Sequence, residues 1–165
     1  MTDSVKSPLE MFYRWERETP QQVYLRQPQG GGWREYTWAE VSDLVRRIAS
    51  FLRSKGYPPG SRIAIWSSNS KDWPIVDLAI MLSGHISVPI YPGQDTTSAN
   101  YILTHSGAKL VFTGEFDQAG NVGAESGVTV SGVVGDEHGQ SFPVVRRQVE
   151  ELDAKTKYSA RQGKV

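Results

Sequence analysis

The stretch from residue 61 to residue 92, SRIAIWSSNSKDWPIVDLAIMLSGHISVPIYP, most constrains how this chain can fold. It predicts a strand at Arg62–Trp66, a helix over about Ser70–Ser83 and a second strand at Ile86–Tyr91. Parallel strands need a crossover connection, usually a helix, whereas antiparallel neighbours can be joined by a tight turn. The pattern therefore predicts the α/β class, in which ligands bind near the carboxyl ends of strands.

The flanking segments extend this unit on both sides. Thr37 and Glu40 form the capping-box pattern at the start of a long helix, and Gly107 suits the end of a later one. The order β-α-β-α-β favours a mostly parallel, right-handed doubly wound sheet preceded by a β-hairpin. The other predicted elements are a helix at Leu9–Arg17, hairpin strands at Gln22–Gln27 and Trp33–Thr37, helices at Trp38–Lys55 and Ser98–His105 (N-cap Thr97 or Ser98), and a strand at Lys109–Thr113.

The two longest predicted helices differ in how much cover they need. The helix from Trp38 has an apolar stripe on one face, whereas residues 73–82 are apolar nearly all round and need cover on more than one side. The stripe consists of Val41, Leu44, Val45, Ile48 and Leu52.

Pattern and composition change after Gly114, so we divide the chain into three parts. Residues 1–114 form the α/β unit. Residues 115–152 form a weakly patterned extension, with one strand expected at Val128–Val134 and an amphipathic helix at Phe142–Leu152. Residues 153–165 are polar, end in a basic cluster, and are expected to be a disordered tail.

Composition excludes several classes of protein. The 165 residues carry 18 Lys plus Arg and 18 Asp plus Glu, so no basic field attracts nucleic acid. There is no cysteine, which excludes disulfides and thiolate metal sites. No apolar run is long enough for a signal peptide or a transmembrane helix. We expect a cytoplasmic protein without a transmembrane segment, with peripheral attachment to a membrane as an alternative.

Residue types that often carry catalysis are present, but their spacing favours structural roles. His85, His105 and His138 lack the spacing of a zinc site, and His85 is expected to be a hydrogen-bonded core residue. No serine lies in a GxSxG nucleophile elbow, so Ser67, Ser68, Ser70 and Ser83 are interpreted as turn or capping residues. The carboxylates are interpreted as solvated or helix-start charges: Asp72, Asp77, Glu150, Glu151 and Asp153.

Two further features could suggest a phosphate site. Gly30–Gly32 is followed by neither a helix start nor a lysine at P-loop spacing, so a flexible turn is favoured. The set Arg46, Arg47 and Arg53 falls mostly on one side of its helix, so a solvated face is favoured. The sequence therefore assigns no catalytic, cofactor-binding or metal-binding residue.

Several segments, in order, resemble the adenylate-forming (AMP-forming) synthetases. Residues 37–41, TWAEV, are similar to the family's "TyxEl" opening, and residues 52–66, LRSKGYPPGSRIAIW, to its "L...G...GDrVai" segment. Asn69-Ser70 with Trp73 resembles "NspeW", and residues 101–110 resemble "yiL..s.ak.l". Residues 79–92, AIMLSGHISVPIYP, are close to the long-chain fatty-acyl-CoA synthetase form. The resemblance covers residues 8–114, which would make this part the N-terminal α/β subdomain of that fold.

The resemblance implies a long-chain fatty acid–CoA ligase reaction. A fatty carboxylate and ATP with Mg give an acyl-adenylate and pyrophosphate, and coenzyme A then displaces AMP. Such enzymes neutralise the triphosphate with a Ser/Thr/Gly-rich loop ending in lysine, and they use an aromatic-Gly-Thr-Glu stretch, a ribose-binding aspartate and a C-terminal lysine. None of these occurs in this chain. We therefore expect a truncated N-terminal portion that binds no cofactor by itself and is inactive alone.

Two other interpretations stay open. A non-catalytic interaction module would complement a separate chain carrying the missing motifs, and it predicts exposed apolar surface on the helix over residues 73–82. A small flavodoxin-like nucleotide binder would share the α/β pattern, but no phosphate loop is visible to support it.

Overall fold

The structure, a computed structural model, describes residues 6–29 and 31–113 and the backbone of residues 129–132. The helix expected at Phe142–Leu152 and the expected tail at 153–165 lie outside these residues. The elements are α1 Pro8–Glu18, β1 Val23–Gln29, β2 Gly32–Thr37, α2 Trp38–Ser54, β3 Arg62–Trp66, α3 Asp72–Leu82, β4 Ile86–Ile90, α4 Thr96–Ser106, β5 Leu110–Thr113 and β6 Thr129–Gly132.

The described strands form two sheets. Strands β1 and β2 make an antiparallel hairpin, as expected. The second sheet has the order β4-β3-β5-β6, and all its pairs are parallel, with Ile63 of β3 opposite Ser87 on one side and Leu110 on the other. The expected α/β class and parallel crossover are therefore confirmed.

Strand β3 is buried on both faces, which explains its continuous apolar sequence. Side chains alternate across a strand, so Ile63 and Ile65 lie on one face and Ala64 and Trp66 on the other. The first pair packs in a core with α1, α2 and α3, and the second packs in a smaller core with α4. All four are at most 1% exposed. The sheet is thus a middle layer with helices on both sides.

Local capping fixes where the helices begin. The Glu40 carboxylate accepts from the Thr37 amide at 2.7 Å, and the Thr37 hydroxyl accepts from the Glu40 amide at 3.3 Å, which confirms the expected capping box. Ser7 and Glu10 form a second box at α1. These bonds satisfy amides that have no partner within the helix.

The start of α4 differs from the prediction. Neither Thr97 nor Ser98 is the N-cap, because Asp95 takes that place and its carboxylate accepts from the Ser98 amide at 2.7 Å. A carboxylate is a strong cap that also interacts favourably with the helix dipole. Gly107 ends the helix as expected, in the left-handed conformation at φ 65° that glycine adopts without strain.

Helix α3 does not expose the apolar surface that an interaction module was expected to show. Each residue of α3 is buried or half-buried, because α1 and α2 pack on it and the sheet lies beneath it. The most exposed large apolar side chains of the described residues lie elsewhere, at Trp33, Tyr91 and Tyr101. The expectation was wrong because the chain itself supplies the cover that α3 needs.

The two-sided burial of β3 predicts a large difference between two isoleucine positions. Ile65→Ala should lower the free energy of unfolding by about 2–5 kcal/mol, since Ile65 is fully buried and its loss leaves a cavity. Ile86→Ala is the matched control, because Ile86 is 50% exposed, and should cost less than about 1 kcal/mol. Urea unfolding followed by tryptophan fluorescence measures both. Equal losses would contradict the two-sided packing.

Candidate functional site

An open crevice of about 440 Å³ lies where β3 and β4 end. One wall is the loop that follows β3, the other is the segment at the end of β4, and Trp73 of α3 contributes a ring. Ligands of open parallel sheets bind outside the carboxyl ends of strands, so this is where a ligand site is expected. The lining residues are Ser67, Ser68, Asn69, Trp73, Pro89, Ile90, Tyr91 and Pro92.

The lining of the crevice carries no charged side chain. Ser67 is 2% exposed, and its hydroxyl already donates its hydrogen bond to the carbonyl of Ser68 at 2.9 Å. Asn69 and Tyr91 are exposed and supply an amide and an aromatic ring. This surface suits neutral groups. It offers neither the cations that a triphosphate needs nor the carboxylates that hold Mg.

The sheet order separates this crevice from the site of a flavodoxin-like protein. The order β4-β3-β5-β6 corresponds to the 2-1-3-4 part of a flavodoxin-like sheet. In such sheets the ligand lies at the switch point between the first and third strands, here β3 and β5. The crevice lies on the other side of β3, so it does not favour the nucleotide-binder interpretation.

A buried ion pair directly follows the crevice loop, and the sequence interpretation missed it. The Lys71 ammonium donates to both carboxylate oxygens of Asp72 at 2.7 and 2.6 Å, and the two side chains are 4% and 12% exposed. The Lys71 amide donates to the Gln27 side chain at 2.8 Å, and its ammonium lies 5.5 Å from the Tyr36 ring centre. The bond from the Lys71 amide to Gln27 therefore ties the hairpin to the start of α3, and the ion pair is buried at this contact.

Of the two roles expected for Asp72, the structure bears out the helix-start charge. Asp72 does lie at a helix start, but it is buried rather than solvated. The sequence does contain a signal for this burial, because Lys71 and Asp72 are adjacent opposite charges at the start of a helix that is apolar all round. Such a helix must be covered at its start as well, so charges there need a partner. Asp77, further along α3, is half-buried. Burial also raises the pKa of the Tyr36 phenol above its usual value.

The serines divide between the expected roles. The Ser83 hydroxyl donates to the Ile80 carbonyl at 2.8 Å, which confirms a helix-end role. Helix α3 has no side-chain cap, so Ser70 does not cap it. The Ser70 hydroxyl has no hydrogen-bond partner among the described residues.

The arginines of α2 bind partners within the chain rather than form a cationic site. Arg46 makes a two-pronged pair with Glu16 of α1 at 2.7 Å, and this bond lowers the pKa of the Glu16 carboxyl. Arg47 pairs with Asp43 one turn earlier. Arg53 donates to the Leu82 carbonyl at 2.6 Å. The side chains of Arg46 and Arg47 are 50% and 39% exposed, so these two lie on a solvated face, as expected.

The histidines lie at separate places. His85 is 8% exposed just before β4, which confirms the expected core position, and its Nδ1 has no hydrogen-bond partner among the described residues. His105 is exposed on α4 and stacks on Tyr101 at 5.6 Å between ring centres. His138 lies outside the described residues. Within the described ranges, no three acidic or histidine side chains are placed to hold a metal ion.

Comparison with known proteins identifies the class that this scaffold belongs to. The sequence pattern of the AMP-binding enzyme family matches residues 12–162, which is most of the chain. The chain therefore belongs to the AMP-binding enzyme family. The match continues beyond residue 114, where the resemblance that we found by motif ends.

Two relatives show which branch is similar. "Long-chain-fatty-acid--CoA ligase FadD15" of Mycobacterium bovis is 32% identical over 102 residues, which are 62% of this chain and 17% of that ligase. "Long chain acyl-CoA synthetase 2" of Arabidopsis thaliana is 29% identical over 116 residues, covering 67% of this chain and 17% of that protein. The matched stretch thus spans about a sixth of these relatives' lengths.

The fold has a solved counterpart. The N-terminal subdomain of NpsA from Klebsiella oxytoca superposes with a TM-score of 0.68 over 88% of this chain and 33% of that one, at 20% identity. The expected fold, the N-terminal subdomain of the adenylate-forming synthetases, is confirmed.

Among the described residues, no helix combines the length and apolarity needed to cross a bilayer.

The buried pair behind the crevice predicts a specific mutational pattern. Lys71→Met should lower the free energy of unfolding by about 3–5 kcal/mol, because it leaves Asp72 buried without its cation. Combining Lys71→Met with Asp72→Leu should restore most of this loss, since no charge is then stranded. Thermal and urea unfolding measure both.

A matched control for this pattern is the pair between Arg26 and Glu35. Its side chains are 63% and 49% exposed, so Arg26→Met should change stability by less than about 1 kcal/mol. If Lys71→Met and Arg26→Met lowered the free energy of unfolding equally, the buried pair would contribute no more to stability than an exposed one, which would contradict the prediction.

Proposed function

We propose that this chain is the N-terminal portion of an ATP-dependent long-chain fatty acid–CoA ligase, and that it does not activate fatty acids by itself. The observation that carries the proposal is the family match over residues 12–162. The similarity to relatives named as long-chain acyl ligases supports the choice of substrate.

The reaction proposed for the whole ligase has two steps. A fatty carboxylate attacks ATP, giving an acyl-adenylate and pyrophosphate, and the thiol of coenzyme A then displaces AMP to leave the thioester. The first step builds negative charge, which such enzymes must neutralise with preorganised cations and amides. ATP, Mg and coenzyme A are therefore proposed for the complete enzyme and not for this chain alone.

The charges of the described residues support the inactivity of the isolated chain. The arginines of α2 are bound to Glu16, to Asp43 and to a backbone carbonyl, and Lys71 is held by Asp72. The crevice at the ends of β3 and β4 is neutral. Its proposed role is to shape the loops at that end of the sheet, against which other parts of a ligase would close.

A second candidate is a non-catalytic module that complements a separate chain. The observation that favours it is the β4 edge, because β4 pairs only with β3 among the described strands. Ile86, at the start of β4, and Tyr91, directly after its end, are 50% and 73% exposed. We place the proposed protein in the cytoplasm, with peripheral contact to a membrane as the alternative.

The absence of activity is tested by pyrophosphate release. Purified chain with ATP, Mg and palmitate should release no pyrophosphate above the blank, because the crevice at the ends of β3 and β4 has no cationic side chain to bind the triphosphate. A full-length long-chain fatty-acid–CoA ligase in the same assay is the positive control. Turnover above the blank that scales with the concentration of the chain would contradict the proposal.

A mixing experiment distinguishes the complementing module from a portion that has no separate partner. The chain is combined with a fragment of such a ligase that lacks the matching N-terminal segment, and both association and pyrophosphate release are measured. Restored activity would support complementation. Failure to associate would exclude the module while leaving the family assignment intact.

A further inference from the structure

The side chain of His85 lies at the amino end of the sheet, where three connections meet. His85 itself connects α3 to β4. Tyr57, in the connection after α2, meets the His85 ring edge-on, with 6.4 Å between ring centres. The Tyr57 hydroxyl donates to the carbonyl of Lys109, directly before β5, at 3.4 Å. We call His85, Tyr57 and the Lys109 carbonyl the amino-end joint.

The joint is built for a neutral imidazole. His85 is 8% exposed, and its Nδ1 has no partner among the described residues, although its main-chain amide donates to the Ile80 carbonyl at 3.1 Å. Tyr57 contributes an uncharged phenol. Arg53, in the last turn of α2, is a cation close enough to act electrostatically on the ring. Within the described ranges, no carboxylate pairs with His85.

Protonation would put a positive charge on a ring whose Nδ1 has no acceptor among the described residues and on which the charge of Arg53 already acts. Charging a buried group without a partner is unfavourable. Arg53 is held in place by its bond to the Leu82 carbonyl, at the end of α3. Burial, and secondly Arg53, hold the pKa of His85 below its ordinary value of 6.5.

We propose that the amino-end joint is an acid-sensitive element of the scaffold, which loosens when His85 takes up a proton. The joint lies at the end of the sheet opposite the crevice, so this inference is independent of the proposed ligase function. The unfolded chain binds the proton more readily than the folded chain does. The stability that depends on a neutral His85 is therefore fully present above the ordinary pKa of 6.5, and it falls as the pH drops below that value.

The test compares two histidine variants in the full chain. Urea unfolding is followed at pH 8.0, 7.0, 6.0 and 5.5 for the parent, His85→Gln and His105→Gln, each with His138→Gln. The equilibrium constant of unfolding of the parent should rise by up to about tenfold for each pH unit below 6.5. His85→Gln should remove this rise, and His105→Gln, whose side chain is exposed, should keep it. A rise that is the same in all three would overturn the proposal.

A direct titration covers the case in which His85→Gln does not fold. Proton NMR of the parent chain follows the imidazole signals from pH 8.0 to 5.0, in buffer and in urea. The assigned His85 signal should titrate at lower pH in the folded chain than in urea. A folded-state midpoint equal to or above the value in urea would overturn the proposal.

Discussion

Burial of β3 on both faces is the constraint on which the rest of the structure depends. Its side chains alternate between a large core under α1, α2 and α3 and a smaller core under α4. A strand in this position must be apolar throughout and must have parallel neighbours connected over the sheet. Helices α1, α2 and α3 meet this requirement on one face of the strand, and α4 meets it on the other. The crevice and the amino-end joint are consequences of where the strands stop.

The element order could be predicted because each element has a local cause. The apolar run at Arg62–Trp66, the capping box at Thr37 and the glycine at the end of α4 each act within a few residues, and the structure agrees with all three. The N-cap of α4 was missed because Thr97, Ser98 and Asp95 are all good caps within four residues. Local rules do not choose among them.

The features near the candidate site could not be predicted in the same way. The Lys71–Asp72 pair is buried because the hairpin, 44 residues away in sequence at Gln27, covers the start of α3. The environment of the His85 ring likewise depends on Arg53, in the last turn of α2, and on Tyr57, in the connection after it. Tertiary packing decides these environments, and a sequence pattern does not show which distant residues will lie next to each other. The family match identifies the class, while the neutral lining of the crevice is visible only in three dimensions.

This chain is proposed to hold the framework of an adenylate-forming enzyme without the charges that adenylate formation requires, and these two properties can be separated. A calorimetric titration of the folded chain with MgATP tests that separation most directly, since it needs no acyl substrate and no turnover. No saturable heat is expected at millimolar nucleotide, under conditions in which a full-length ligase binds. Saturable binding with a stoichiometry near one would contradict this expectation, because it would show that the polypeptide holds a triphosphate site of its own.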